Sequence, residues 1–211
     1  MKKRVIIEVV CGILIFVVGF FIGDASAIKR VNEQIGINVT KQDEEQKTEE
    51  VKVNNENKND DSKKDPKIYQ FGQEGVSGDW DIKVLEAKEA DTIEAGNSED
   101  NIKSSLKFII VKLEMKNISK EPIQYSPEEF ILGNMNDKTQ YKADLNAMLT
   151  ANGKETIYNR NNNFISAYED VNPNTPKETY VIFEVPKEVK IENCVLVNGN
   201  NNSEGVGYYL K

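Results

Sequence analysis

Carboxylates are the most frequent groups in this sequence that could do chemistry: 35 Asp and Glu stand against 27 Lys and Arg in 211 residues. Asp79 and Asp81 flank Trp80, and Glu99 and Asp100 lie in a polar stretch that leads into the next apolar run. Carboxylates from two loops are oxygen ligands suited to a hard cation such as Ca²⁺. A separated pair of them could also supply the acid and base of a glycoside hydrolase. Neither chemistry carries its signature, because EF-hand spacing is absent and no motif outlines a cleft. A second group, Tyr158, Arg160, Phe164 and Tyr168, sits in the Asn-rich stretch TIYNRNNNFISAYED, Thr156 to Asp170. Tyr and Arg are enriched at binding hot spots, and Asn-rich loops supply adaptable hydrogen bonds, so these four form a candidate interaction surface. The plainer alternative places Phe164 or Tyr168 in the core of an ordinary strand. Cys194 reads as a small buried hydrophobe, since a reactive thiol needs electropositive surroundings that Glu192 opposes.

Composition narrows the choices. There is no histidine. Ser–His and Cys–His nucleophiles are therefore excluded, along with the commonest transition-metal ligand. A net charge of −8 and a pI near 4.9 argue against nucleic acid as a partner, because phosphates require a basic face. The two cysteines are Cys11 and Cys194; the first lies in an N-terminal apolar run, so no disulfide framework is expected. The sequence assigns no catalytic residue, no cofactor and no metal site.

The elements that must position any site are strands. LKFIIVKLEMKNIS, Leu106 to Ser119, has Ile109, Val111, Leu113 and Met115 apolar and Lys112, Glu114 and Lys116 charged. Period-two alternation over this length predicts a central β-strand with one face in the core. Burying those four side chains contributes roughly 6–12 kcal/mol before chain entropy is counted. Phe108 and Ile110 make its first half apolar on both faces, so a neighbour is expected to cover it there. Trp80, Ile82 and Val84 predict an opening strand after the turn-forming Gly72, Gly75 and Gly78, with Ala90 to Lys103 a polar loop. Ser126-Pro127-Glu128-Glu129 predicts one helical turn with a capping box. Phe130 to Leu132, Tyr141, Tyr180 to Pro186, Val189 to Val197 and Val206 to Leu210 supply further strands. Ala143 to Ala151 fits a strand or a short helix. Short strands divided by turn residues indicate an antiparallel sandwich.

Ahead of this domain the composition differs. Met1-Lys2-Lys3-Arg4 precedes the apolar run Val5 to Gly23, interrupted only by Glu8. The basic flank orients the remainder outside the cell. The run reads as a membrane anchor, or as a signal peptide cleaved after Ala27 at Ala25-Ser26-Ala27. Residues 28–67 are densely charged and poor in apolar groups, the composition of a disordered linker. The expected organisation is thus an N-terminal hydrophobic helix over 1–27, a linker over 28–67 and a β-sandwich over 68–211.

The order of a Gly-rich turn, KFIIVKLEMKNISKEPIQYSPEEFIL, Tyr141 and NPNTPKETYVIFEVP resembles a family of bacterial extracellular proteins. Its members carry a domain of unknown function with a telokin-like, immunoglobulin-like fold. They sit behind a signal, lipoprotein or membrane anchor and a polar linker, mostly in Gram-positive bacteria. The resemblance spans Gln70 to Gly199, and Asn174 and Thr179 stand where glycines are usual. It implies no catalytic residues. The order of anchor, linker and sandwich, together with the missing histidine, points to a single-pass, cell-membrane module, or a secreted one, that presents a non-enzymatic immunoglobulin-like β-sandwich to an unknown cell-envelope or extracellular ligand.

Overall fold

The computed structural model describes residues 67–199 and 205–211. The anchor or signal over 1–27 and nearly all of the linker expected over 28–67 lie outside these residues. Among the described residues no helix is long and apolar enough to cross a membrane.

The central strand forms as its alternation predicts. β4 (Ile102–Asn117) runs antiparallel between β3 (Trp80–Ile93) and β9 (Pro176–Val185), and β2 (Glu74–Ser77) completes a four-stranded sheet. Ile109, Val111, Leu113 and Met115 are each at most 1% exposed. They share one core with Ile82, Val84, Val181 and Phe183 of their own sheet and with Phe130, Leu132, Leu196, Val206 and Tyr208 opposite. Those last five belong to a five-stranded sheet ordered β1 (Ile68–Tyr69), β11 (Val206–Tyr209), β10 (Cys194–Asn198), β6 (Phe130–Asn134) and β7 (Gln140–Lys142). Its β1–β11 pair is parallel, an exception to the antiparallel pairing that the turn spacing suggests. A two-stranded ribbon of β5 (Ile123–Gln124) and β8 (Asp170–Val171) lies apart. The fold is an all-β sandwich.

Three local expectations are refined. Gly72 and Gly78 take positive φ, 75° and 58°, as turn residues do, whereas Gly75 lies inside β2. Pro127–Glu129 forms a 3₁₀ turn with proline at its start, but Ser126 makes no side-chain cap bond, so the capping box does not close. Asn174, where the resemblance leads glycine to be expected, has φ 57°, and its amide donates to the Asn117 carbonyl at 2.8 Å. Asn tolerates this left-handed region better than most residues, so the turn survives the substitution.

The ambiguous stretch resolves as helix α1 (Leu145–Gly153), capped by Asp144, whose carboxylate accepts the Ala147 amide at 3.0 Å. A five-residue π turn, Lys154–Tyr158, continues it. Helix α1 lies across the face of the four-stranded sheet turned away from the core, against β9 and β3. Ala147 and Met148 are fully buried there, and Phe108, Ile110 and Ile182 are at most 8% exposed. This helix is the neighbour that the two-faced first half of β4 requires.

Candidate functional site

Helix α1 stops short of covering the whole outer face, and the gap is a cleft of about 280 Å³. Its floor is Ala90 of β3, Ile110 of β4 and Ala151 of α1. Its walls carry Lys88, Thr92 and Glu94 from the β3 side, Lys154 and Glu155 from the π turn, and Tyr180 from β9. β3 reaches these positions because it continues through Ile93 instead of ending in a loop at Ala90. A register shift between Val84 and Glu86 resets its alternation, and beyond it Lys88 and Ala90 pair with Ile110 and Phe108 on the outer face.

The walls are tied together at three points. Lys154 Nζ lies 2.7 Å from Glu94 Oε2, joining the π turn to the end of β3 and holding the Glu94 carboxyl below the usual carboxylate range. The Tyr158 ring lies so close over Gly96 that a Cβ at that position would overlap it. Asn152, fully buried, pairs its side-chain amide with the backbone of Tyr180: Nδ2 donates to the Tyr180 carbonyl at 3.0 Å, and Oδ1 accepts its amide at 2.8 Å. Burial raises the Tyr180 hydroxyl above the ordinary tyrosine value, helped by the carboxylates of Glu155, Glu86 and Glu178. It therefore remains a donor at neutral pH. Lys88 pairs with Glu86 at 3.2 Å on the open side.

The sequence-predicted residues distribute differently. Tyr158 is exposed over Gly96, and Arg160 is exposed with φ 53°. Tyr168 is also exposed, with φ 61°. Its hydroxyl donates to Glu128 Oε1 at 3.0 Å. Phe164 is corrected from a surface residue to a buried one: it is 4% exposed, its ring is 5.1 Å from that of Tyr180, and Lys112 Nζ stands 5.3 Å from its centroid. Lys112 was expected to face water; it is covered instead by Phe164 and pairs with Glu178 at 2.7 Å.

The acidic candidates do not converge. Trp80 pairs with Asn117 at one end of the β3–β4 hairpin and Ile93 with Ile102 at the other. At ~3.3 Å per residue, the strand between Asp81 and Ile93 separates the two acidic groups by roughly 40 Å. A calcium site or acid–base pair built from Asp79, Asp81, Glu99 and Asp100 is therefore ruled out. No group of three or more acidic, Cys or His side chains is placed to hold a metal ion among the described residues.

Cys194 is buried, its thiol donating to the Lys190 carbonyl at 3.3 Å, and burial pushes its pKa up to about 12. Nearby, Lys107 occupies a core-facing position at the sandwich end and pairs with Glu89 at 2.8 Å. A different polar set lies inside the sandwich. Ser77 Oγ donates to Asn198 Oδ1 at 2.6 Å. Asn198 Nδ2, Tyr125 Oη and Thr179 Oγ1 are buried without a partner of hydrogen-bond geometry. Glu129 lies beside Asn198, and burial raises its carboxyl above the usual range.

Sequence reasoning missed Lys88, Glu94, Lys154, Glu155 and Tyr180. One signal was present: Asp144 three residues ahead of Ala147-Met148 is an N-cap before an apolar pair, and it favours helix over strand for the roof.

Among known proteins, the family described as "Domain of unknown function (DUF4352)" matches residues 69–198. Comparison with curated proteins gives no match. Among solved structures, a conserved hypothetical protein from Bacillus anthracis aligns at 20% identity and TM-score 0.48, covering 66% of this chain and 94% of that one. An uncharacterized beta-sandwich protein from Clostridium difficile 630 aligns at 15% identity and TM-score 0.46, covering 79% and 100%. A secreted protein from Mycobacterium tuberculosis, MPT63, aligns at 11% identity and TM-score 0.46, covering 68% and 97%.

Proposed function

The chain belongs to the DUF4352 family, and from that premise we propose a non-enzymatic binding module that works outside the cell membrane. The observation that carries this reading is the cleft under α1: walls fixed by the Asn152–Tyr180 pairing, an apolar floor, and charged groups at the rim. Such a concave site on a rigid sheet is suited to holding a small group or the end of a larger one. The sandwich is of the immunoglobulin-like kind, and the domain hangs from the membrane through Val5–Gly23. Support for the tether comes from the basic Lys2, Lys3 and Arg4 ahead of an apolar run, followed by a charged linker composition.

The full-length chain, immobilised from detergent, is passed over peptidoglycan, lipid, carbohydrate and envelope-protein fractions. Retention of at least one class, lost when Ala151→Trp fills the cleft, is expected; retention of none overturns the binding role. Cell fractionation with sequencing of the mature N-terminus tests the tether. A membrane-bound product that begins near Met1 is expected. A soluble product beginning at Ile28 replaces the anchor with a cleaved signal and leaves a secreted module, the reading that Ala25-Ser26-Ala27 favours.

A further inference from the structure

We propose that the cleft under α1 takes a free aliphatic amino acid, a zwitterion whose side chain rests on Ala90, Ile110 and Ala151. This inference rests on the binding-module reading and names its ligand class.

Size comes first. At about 280 Å³ the cleft lies below the usual range for drug-sized ligands, so it suits a molecule of a few heavy atoms. The floor offers methyl groups only, which favours a short aliphatic body. The rim decides the charge. Lys154 and Glu94 form an ion pair at 2.7 Å across one end, and Lys88 and Glu86 form another at 3.2 Å. Glu155, also on the lining and acting on the Tyr180 hydroxyl, accepts from Asn159 at 3.1 Å. Every cation on this rim already has an anion.

A simple anion at Lys154, or a simple cation at Glu94, engages only one half of the pair and sends the other half into water. A zwitterion replaces both halves of the pair together: its carboxylate meets Lys154 while its ammonium meets Glu94 and Glu155. Exposed ion pairs such as these contribute little to stability, so the exchange is inexpensive. The Tyr180 hydroxyl, kept protonated by burial and by Glu155, supplies a neutral donor for the bound carboxylate.

The test is equilibrium binding to the full-length chain in detergent micelles with three probes: L-leucine, its N-acetyl derivative, which keeps only the anion, and leucinamide, which keeps only the cation. Leucine is expected to saturate in the millimolar range and each blocked form to bind at least about tenfold more weakly. The double variant Lys154→Met/Glu94→Gln, which removes the pair as a unit, is expected to weaken leucine at least about tenfold with an unchanged thermal melt. Equal binding of either blocked form overturns the proposal, as does no saturation of leucine up to about 10 mM. Should leucine fail while an envelope fraction is still retained, the ligand class falls and the binding role stands. Loss of both removes the binding role as well.

Discussion

The two faces of the four-stranded sheet are made by the same strands, yet they are covered to different extents. The inner face meets a second sheet with Ile109, Val111, Leu113, Val181 and Phe183, each fully buried. The outer face buries Ala147 and Met148 of a short helix against Phe108, Ile110 and Ile182, adds an amide pairing, a tilted ring contact and a salt bridge, and leaves a cleft. An interlocked apolar layer specifies the fold but has no room for a guest. A face covered by a partial roof sacrifices some of that packing and gains a place where something else fits.

The contrast is broken most severely from the inside. Leu113→Asp or Val111→Asp places an unpaired charge in the sealed layer, and the loss is expected to exceed about 4 kcal/mol, enough to unfold the domain. Far-ultraviolet circular dichroism across a urea titration measures it. On the outer face, Asn152→Leu keeps the volume but frees both backbone groups of Tyr180, and a loss of about 2–3 kcal/mol is expected. Hydrogen exchange at the Tyr180 amide should accelerate in the same variant. Fast exchange with unchanged stability would show the roof to be decorative.

Glu129 offers a comparison by pH. Its folded carboxyl value is raised by burial, so the folded protein resists ionising it. Stability from this group is full below the ordinary carboxylate value of about 4.3 and falls as pH rises through the raised folded value. Glu129→Gln should flatten the melting temperature over that window, seen as a difference between the two pH profiles; parallel profiles would remove Glu129 from the account. Smaller again is Lys112→Ser, which loses Glu178 and the face of Phe164 and is expected to cost about 0.5–1 kcal/mol. Smallest is the Lys154→Met/Glu94→Gln double variant, expected within about 0.5 kcal/mol of the parent in urea because the pair is exposed.

How much of this was legible in the sequence follows the same division. The inner face is readable because β4 keeps strict alternation from Val111 to Met115, and Val111, Leu113 and Met115 are buried as the pattern requires. The outer face is not. The bulge after Val84 shifts the period, so the stretch from Ala90 looks like a polar loop although β3 runs on to Ile93, with Lys88 and Ala90 in the cleft and Glu94 just past its end. Lys112 looks solvent-facing because nothing local announces that Phe164, far along the chain, returns to cover it. A cleft made by β3, β4, β9 and α1 depends on contacts between segments separated by up to tens of residues, and periodicity registers only near neighbours. The four-residue surface divides for that reason: Phe164 turns inward, as the plainer alternative has it, while Tyr158 stays exposed over Gly96 and Tyr168 bonds Glu128.

The Asn152 side chain occupies the outer edge of β9 as a further strand would, and it does not act alone. The Glu178 amide and carbonyl are taken by Asn163 and Ile165, and the Ile182 carbonyl accepts from Asp144. From Glu178 to Ile182 this border therefore presents few backbone groups to another chain. Among the other borders, β1, β2 and β7 run only two, four and three residues, while β3 extends from Val84 to Ile93 beyond its pairing with β2. Copies crowded side by side on one surface are a standing invitation to fibrous stacking, which proceeds by adding strand to strand at open borders. This sandwich has closed the β9 border with its own side chains and loops, so a neighbouring copy finds few open backbone groups there on which to add a strand.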